Sequence, residues 1–375
     1  MRSLSDKILT SLLCGVILCG CDQNQADSSP AVRHDTSDFV MYTFNDAFYF
    51  SFGENDELIL DEREKTGLNC AFLEKYFKES DDYWYSITSE EAAMELKVIQ
   101  INKETLELKV SDTFSGGGFA SDGVFHNTFI HDFSTYGHYD LIQHDDEFHL
   151  VRQIRFGHGS EMIIVLDICE AGDNIYVLLG DESKHQWIQV LDSELNETAV
   201  YTKPDEYATM LRMASDGTKI WITETNTRNE GEEVLSPAYR IISYNPENGE
   251  FGEETITLTD GYPYLLRYNQ EQNSLLITHE PWSMNDAIWT ICDLDTGEQE
   301  VFRCSDLAYE YAQMYPSPFA AAGSDGSYYF YAEGSLYKVR INEGVVKKWD
   351  LSEYTDLYPH TIIIRQDQTG REQDN

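Results

Sequence analysis

Histidines are concentrated in one part of this chain of 375 residues. Six of the ten lie between His126 and His158, and the segment from His131 to His138 also holds Asp132 and Tyr136. Imidazole and carboxylate groups are common ligands of transition metals. The spacings of 5, 7, 6, 5 and 9 residues match no familiar metal signature. Side chains that alternate along a strand would also be divided between two faces. We therefore predict no metal site and no cofactor.

Carboxylates and aromatic residues in polar segments offer a second kind of chemistry. Carboxylates of this kind could bind calcium or form a solvated rim, and they are Glu230, Glu232, Glu233, Glu280 and Asp286. Tyr136 and Trp282 could stack on a sugar or a peptide side chain, although such residues often serve packing instead. These types favour binding over metal chemistry.

Short strands separated by turns must position these residues. Runs rich in Tyr, Ile, Val, Trp and Phe are bounded by Asp, Asn and Gly. The clearest unit, Met213 to Ile222, has two apolar strands joined by Asp216-Gly217. Similar turns recur near positions 46, 82, 122, 173, 216, 273 and 325, at intervals of 36 to 57 residues.

Four strands per interval predict an all-β fold, a β-propeller of about seven four-stranded blades, with six or eight possible. A strand at His360 to Arg365 would complete the first blade, and Leu68 to Phe77 could be an inserted helix. A pair of β-sandwiches is the competing fold.

One turn supports a resemblance. Asp293-Leu294-Asp295-Thr296-Gly297 resembles the strand-end turn of bacterial propellers of the quinoprotein and seven-bladed surface-repeat type, and Asn245 to Gly249 is a looser copy. The resemblance covers most of the chain as a pattern but only these turns as a motif. It implies an architecture and does not specify an activity.

Loop lengths predict where a site lies. If Asp-Gly joins the first two strands of each blade, the longer connections share the opposite face, and they run over His131–His138, Gly180–Gln186, Glu224–Pro237 and His279–Asp286. Long loops on a rigid scaffold commonly bind ligands, although they can also be tolerated insertions. The predicted ligand-binding residues, expected around the mouth of the central channel or its rim, are Tyr136, His138, His185, Glu232 and Trp282.

Motifs for catalysis are weak. Ser215 to Trp221 only partly resembles the sialidase box Ser-x-Asp-x-Gly-x-Thr-Trp, and no nucleophile elbow, zinc-protease helix or phosphate loop is present. We predict a scaffold that binds a protein, peptide or carbohydrate. The alternative is a hydrolase or lyase acting on a carbohydrate or lactone, because propeller enzymes often assemble sites from scattered residues.

The N-terminus has the layout of an export signal. Two cations, Arg2 and Lys7, precede an apolar stretch from Ile8 to Gly20, which is short for a membrane span. Leu18-Cys19-Gly20-Cys21 resembles the bacterial lipobox, which implies lipid attachment at Cys21. An ordinary signal peptide or a short anchor helix is the alternative. We predict a signal peptide over 1–20, a lipidated polar tether over 21–38, a propeller domain over 39–368 and a polar tail over 369–375.

The charge of the chain limits the classes of partner that it can bind, and its cysteine content limits the number of disulfides. The whole chain has 26 basic and 67 acidic residues, and without residues 1–20 it has 24 and 66, a net charge of −42. A field of this sign repels nucleic acid and anionic lipid headgroups, so the lipid must hold the protein at the cell membrane, facing the periplasm or the exterior.

Four cysteines follow Cys21, too few for a disulfide scaffold. A hairpin after Cys292 is expected to place it opposite Val301, so we predict that Cys292 and Cys304 are free, buried thiols.

Overall fold

The computed structural model describes residues 36–43, 46–55, 57–66, 78–80, 82–90, 95–111, 114–115, 122–125, 128–135, 137–157, 162–227, 236–280, 286–304, 320–323, 325–332, 334–354 and 361–365. These residues form antiparallel sheets, and none of them is in a helix. Accordingly, no helix in these ranges is long and apolar enough to cross a membrane. The predicted helix at Leu68 to Phe77 lies outside them.

We number the sheets as blades and give the strands of each blade from the innermost outward. Blade 1 combines strands from both ends of the described chain, and blades 2 and 3 follow it along the chain. Blade 1 contains β29 (Thr361–Ile364), β1 (Phe39–Tyr42), β2 (Asp46–Phe52) and β3 (Leu58–Lys65). Blade 2 contains β4 (Lys78–Glu79), β5 (Tyr83–Glu90), β6 (Glu95–Asn102) and β7 (Leu108–Val110), with β8 (Phe114–Ser115) also paired to β6. Blade 3 contains β9 (Asp122–Phe125), β10 (Thr128–Thr135), β11 (His138–His144) and β12 (Leu150–Phe156).

The other four sheets follow in strict chain order. Blade 4 contains β13 (Ile163–Ala171), β14 (Asn174–Asp181), β15 (Gln186–Leu191) and β16 (Glu197–Thr202). Blade 5 contains β17 (Thr209–Ser215), β18 (Ile220–Thr227), β19 (Ser236–Tyr244) and β20 (Phe251–Thr257). Blade 6 contains β21 (Pro263–Asn269), β22 (Ser274–His279), β23 (Ala287–Asp293) and β24 (Gln299–Cys304). Blade 7 contains β25 (Ala320–Ala322), β26 (Tyr328–Ala332), β27 (Ser335–Arg340) and β28 (Gly344–Asp350).

The predicted β-propeller is therefore confirmed. Six sheets are regular four-stranded blades, and the sheet in second place has five strands. The predicted C-terminal strand is also confirmed, since β29 pairs antiparallel with β1, with Met41 opposite Ile362. This pairing joins the two ends of the described chain within one blade, as expected for a closed ring.

Apolar layers between neighbouring blades hold the ring together. Tyr42 of blade 1 packs with Trp84 and Ile99 of blade 2. Trp289 of blade 6, which is fully buried, packs against Phe330 of blade 7 at a centroid distance of 5.0 Å. Each blade thus buries its faces against its neighbours, as stacked repeats do.

Outer strands carry much of the acidic surface. In β3 (Leu58–Lys65) six of the eight residues are exposed, whereas all six residues of β22 are buried. Polar and charged side chains on an edge strand also discourage pairing with another chain. The excess of acid can therefore lie on the outside of the ring while apolar layers fill the space between the blades.

The recurring turn was predicted to join the first and second strands of each blade, and it does so at five of the seven positions. Turns near 82, 173, 216, 273 and 325 join the first and second strands of their blades. The turn at Asp46 instead joins the second and third strands of blade 1, because β29 supplies the first strand. Asp122 lies within the innermost strand of blade 3 and not in a turn. These two phase assignments were wrong.

The hairpin between β23 and β24 also differs from expectation. Cys292 lies opposite Gln299, not Val301, because Asp293 and Gly297 close a tight turn in which the glycine has a φ of 72°. The expected buried thiols are observed, since neither Cys292 nor Cys304 forms a disulfide.

Candidate functional site

Connections between second and third strands, and between one blade and the next, share one face of the ring, which we call the loop face. His138 begins β11 and His185 directly precedes β15, so both belong to connections of this face. The other residues predicted for ligand binding, Tyr136, Glu232 and Trp282, and the lipid-attachment residue Cys21 lie outside the described residues.

Two of the expected long loops are partly strand. Thr135 pairs with His138, and the segment from His131 to Thr135 is strand. Likewise, β14 extends to Asp181, and Gly180 pairs with Gln186, so only residues 182–185 connect β14 and β15. The predicted loops were too long because polar residues also occur within these strands.

His185 has a local explanation. Its Nδ1 lies 3.0 Å from Oδ2 of Asp181, and its backbone N–H donates to Oδ1 at 2.9 Å. The same turn recurs at Asp145–His149 and at Asp192–Asn196. The aspartate of this turn caps the hairpin, so the histidine position follows from turn chemistry.

The turn at Asp145–His149 also brings three potential metal ligands together. One ligand atom each from Asp145, Glu147 and His149 lies within 4.8 Å of the others. Oδ1 of Asp145 accepts backbone N–H groups from Glu147 and His149, at 3.0 and 2.8 Å. These bonds account for the arrangement, and the group lies on the face opposite the loop face.

A group of described residues in mutual contact lies at the loop face, where blade 5 passes to blade 6. We call this group the blade 5–6 cleft, and its residues are Tyr239, Asp260, Gly261, Tyr262, Asp286 and Arg303. The predicted residue Glu232 belongs to the connection of blade 5 between residues 227 and 236. The predicted residue Trp282 belongs to the connection of blade 6 between residues 280 and 286. The described residues that flank these two connections lie beside this cleft, whereas His138 and His185 lie in blades 3 and 4.

Tyr262 has an unusual backbone conformation. Its φ is 55°, and among the described residues the other non-glycine residues with positive φ close hairpins, whereas Tyr262 lies in a connection between blades. Its N–H donates to the carbonyl of Ala238 at 3.0 Å, and its carbonyl accepts from Glu280 N–H at 2.9 Å. Non-glycine residues in this region persist where surrounding structure fixes them, often at functional sites.

The backbone and an aromatic ring approach closely at Gly261. A Cβ there would lie 2.6 Å from Cβ of Pro237 and 3.1 Å from Cζ of Tyr239. The ring of Tyr239 thus lies against the segment Asp260–Tyr262, and this residue is 43% exposed. Burial, followed by Glu280 and Tyr239, raises the pKa of Tyr262, so its hydroxyl stays protonated at neutral pH.

Two carboxylates share one guanidinium in the cleft. Nη2 of Arg303 donates to Oδ1 of Asp260 at 2.6 Å, while its Nη1 is 3.4 Å from Oδ2 of Asp286. The side chain of Asp260 is only 10% exposed, and its Oδ2 is buried without a hydrogen-bond partner. A buried carboxylate oxygen without a donor is uncommon, so this atom is the most distinctive chemical feature of the cleft.

A buried neutral histidine, His279, hydrogen-bonds to the backbone of the cleft. His279 is 1% exposed, and burial lowers its pKa. Its Nδ1 lies 2.8 Å from the Gly261 carbonyl, which can only accept, so Nδ1 carries the proton. Nε2 then accepts from the Thr290 hydroxyl at 2.9 Å. Both ring nitrogens are satisfied, so His279 positions Gly261 and is not a candidate for acid–base chemistry.

Inner strands hold a second group of charged residues around the central axis. Lys78 of blade 2 forms an ion pair with Asp167 of blade 4, although blade 3 separates them. Asp167 also accepts backbone N–H groups from Ile168 at 2.9 Å and from Met213 of blade 5 at 2.7 Å. One buried carboxylate thus links three blades.

Cation–π contacts continue this group around the axis. The guanidinium of Arg212 donates to the carbonyl of Leu166 and lies 5.8 Å from the ring centre of Tyr264 in blade 6. Arg267, also in blade 6, lies 5.8 Å from the ring of Trp84 in blade 2. The Arg212 contacts join neighbouring blades, whereas the Arg267 contact joins blades that are not neighbours, and together they fix the blades relative to one another.

The sequence-based prediction missed Asp260, Arg303 and the residues around the axis. Asp260-Gly261 is itself an Asp-Gly pair that falls between the turns at 216 and 273, out of phase with the repeat. That departure was the signal that could have identified it. No local pattern marks Lys78 and Asp167, which are 89 residues apart.

No protein-family model matches the chain, and no curated protein sequence matches it. Among solved structures, a putative 6-phosphogluconolactonase from Bacteroides fragilis is similar, with a TM-score of 0.56 and 10% identity over 89% of this chain and 99% of that one. A protein of unknown function from Desulfotomaculum acetoxidans has a TM-score of 0.53 and 9% identity over 88% and 99%. A protein from Lactobacillus plantarum has a TM-score of 0.51 and 12% identity over 88% and 99%. At these identities the similarity shows a shared fold, the β-propeller, and no more than that.

Proposed function

We propose that this protein is a lipid-anchored, extracytoplasmic β-propeller that binds a ligand or partner protein through its loop face. The observation that carries the binding role is the blade 5–6 cleft, where Oδ2 of the buried Asp260 has no hydrogen-bond partner. A rigid ring with a preformed polar group next to exposed Tyr239 has the makeup of a binding site.

The anchor rests on the sequence of the N-terminus. Leu18-Cys19-Gly20-Cys21 supports acylation of Cys21, and 17 residues separate Cys21 from the first strand at Phe39. A polar segment of this length reaches on the order of 20 Å if flexible, so the ring would stand near the membrane surface.

The turn at Asp293 supports a repeat of the quinoprotein or surface-repeat type. Oδ1 of Asp293 accepts backbone N–H groups from Asp295 at 2.9 Å and from Thr296 at 2.8 Å. These bonds give the motif a physical reason for its aspartate, since they fix the turn between the third and fourth strands.

Fatty-acid labelling tests the anchor. Metabolic labelling of cells that express the full chain should label the wild type and leave the Cys21→Ser variant unlabelled. Equal label in both proteins would contradict the proposal, and the amount of exported protein serves as the control.

Photo-crosslinking in cells tests the binding role. A benzophenone amino acid at position 239, in the cleft, should give a defined adduct, while the same group at position 345, on the outer strand β28, should give none. Tyr239 and Val345 are suitable because both are exposed, at 43% and 48%. Equal adducts from both positions, or none from position 239, would refute a binding role for the loop face.

A further inference from the structure

A carboxylate–arginine clamp in blade 1 provides a reference for the blade 5–6 cleft. Asp46 begins the third strand of blade 1, two residues before Phe48, which is the cross-strand partner of Arg63. Nε and Nη2 of Arg63 donate to the two oxygens of Asp46 at 3.0 and 3.2 Å. Lys65 donates to the same carboxylate at 3.1 Å. Both oxygens of Asp46 are therefore satisfied.

Blade 6 has an aspartate and an arginine in the same strand register, but they do not form the same clamp. Asp286 lies two residues before Ile288, which is the cross-strand partner of Arg303. Arg303, however, bonds Asp260 at 2.6 Å and reaches Asp286 only at 3.4 Å. Since one guanidinium serves two carboxylates, the cleft has an excess negative charge where blade 1 has none.

The excess charge is localised at one atom. Oδ2 of Asp260 is buried and has no hydrogen-bond partner, although Oδ1 is held by Arg303. Buried carboxylate oxygens normally accept at least one hydrogen bond. None of the described residues donates to this oxygen, and a bound group can supply the hydrogen bond.

We propose that Oδ2 of Asp260 is the anchor for the ammonium group of a lysine side chain on a partner polypeptide. This inference deepens the proposed function and rests on it. A single available oxygen suits an ammonium, which is a compact charge, whereas a guanidinium recognises carboxylates best through two oxygens. Arg303, whose Nη2 lies 2.6 Å from Oδ1, repels a divalent cation at this position about twice as strongly as it repels a singly charged ammonium.

The surroundings favour a charged donor over a neutral hydroxyl. Asp260 and Asp286 share one cation, Arg303, within the described cleft, and the chain has a net charge of −41. A field of this sign raises the local concentration of cationic partners. The exposed ring of Tyr239, next to Gly261, offers an apolar wall for the methylene stem of a lysine.

The test uses the full-length protein in detergent micelles and a small fluorinated peptide whose one charge is the lysine ammonium. The probe is trifluoroacetyl-Gly-Lys-Gly-amide, followed by ¹⁹F NMR, and its matched control carries Nε-acetyl-lysine. We expect the lysine probe to bind at least tenfold more tightly than the acetylated one, and Asp260→Asn to remove this preference. Asp46→Asn, which changes the equivalent carboxylate in the satisfied clamp of blade 1, should leave binding unchanged.

A second variant guards against a folding defect. Asp260→Asn could destabilise the cleft because it weakens the Arg303 contact, whereas Tyr239→Ala removes an exposed ring and no bond to Asp260 or Arg303. Tyr239→Ala should weaken the lysine probe several-fold with an unchanged unfolding transition.

Three results would overturn the proposal. The first is equal binding of the lysine and acetyl-lysine probes. The second is an equal loss of binding in Asp260→Asn and Asp46→Asn, which would indicate attraction by the overall charge. The third is binding of a neutral oligosaccharide that needs Asp260, without lysine binding, which would overturn the ammonium assignment but leave the binding role intact. Failure of crosslinking from position 239 would instead refute the role of the face.

Discussion

Replacing Asp167 by asparagine tests whether the contacts around the central axis hold the blades together. Asp167 accepts donors from three blades: the Lys78 ammonium, its own neighbour Ile168 N–H, and Met213 N–H. The side chains of Asp167 and Lys78 are 3% and 17% exposed. Asparagine keeps the shape but removes the charge, and its NH₂ group must face one of these donors.

The expected loss is about 3 to 5 kcal/mol of unfolding free energy, the usual cost of removing one partner of a buried ion pair. Such a loss is a large fraction of the ~5 to 15 kcal/mol that stabilises a typical domain. Urea unfolding followed by tryptophan fluorescence measures it. The Lys78→Met, Asp167→Asn double variant should recover part of the loss, because no buried charge is then left unpaired.

Asp325→Asn provides the control. Asp325 pairs with Lys338 and Arg340, but its side chain is 43% exposed, so its removal should cost less than about 1 kcal/mol. If Asp167→Asn were no more destabilising than Asp325→Asn, the ion pair across the axis would not support the ring, and our reasoning about it would be wrong.

Three further predictions concern closure, pH and thiols. Ile363→Ala, at a residue 1% exposed in β29, should lower the unfolding free energy by about 2 to 5 kcal/mol in urea, and an unchanged midpoint would contradict closure by this strand. Burial lowers the pKa of His279, so the histidine of the unfolded chain gains a proton at a higher pH than that of the folded protein. The unfolding free energy should therefore decrease below about pH 6.5, by up to about 1.4 kcal/mol per pH unit. If the unfolding free energy of His279→Asn fell with pH as steeply as that of the wild type, this prediction would be refuted. Burial raises the pKa of Cys292 to about 11, so its thiol should react with a disulfide reagent only as the protein unfolds, and rapid labelling of the native protein would exclude this.

Local patterns identified most of the architecture. The strand Ala287–Asp293 and the closing strand near Thr361 were predicted because apolar runs and turn residues follow one another regularly. The first blade was assigned the wrong phase because its innermost strand comes from the other end of the chain, which no local window can show.

The candidate site was less predictable for a physical reason. Asp260 and Arg303 lie 43 residues apart, and their contact depends on how the connection between two blades is bent. The sequence contains the out-of-phase Asp-Gly pair, but it does not show that Arg303 bonds Asp260 at the expense of Asp286. Tyr136, Glu232 and Trp282 remain predicted ligand-binding residues.

The pairing of β1 with β29 also governs the order of folding. Met41 and Ile362 are neighbours although more than 300 residues separate them, so blade 1 has an unpaired apolar edge until nearly the whole chain is available. During synthesis or export this edge is open to chaperones and to mispairing. Because β1 and β29 are adjacent, a circular permutant that joins them through a linker and opens the ring at Asp216-Gly217 should keep the fold. Its closing strand would then lie in blade 5, and the vulnerable edge would move there with it.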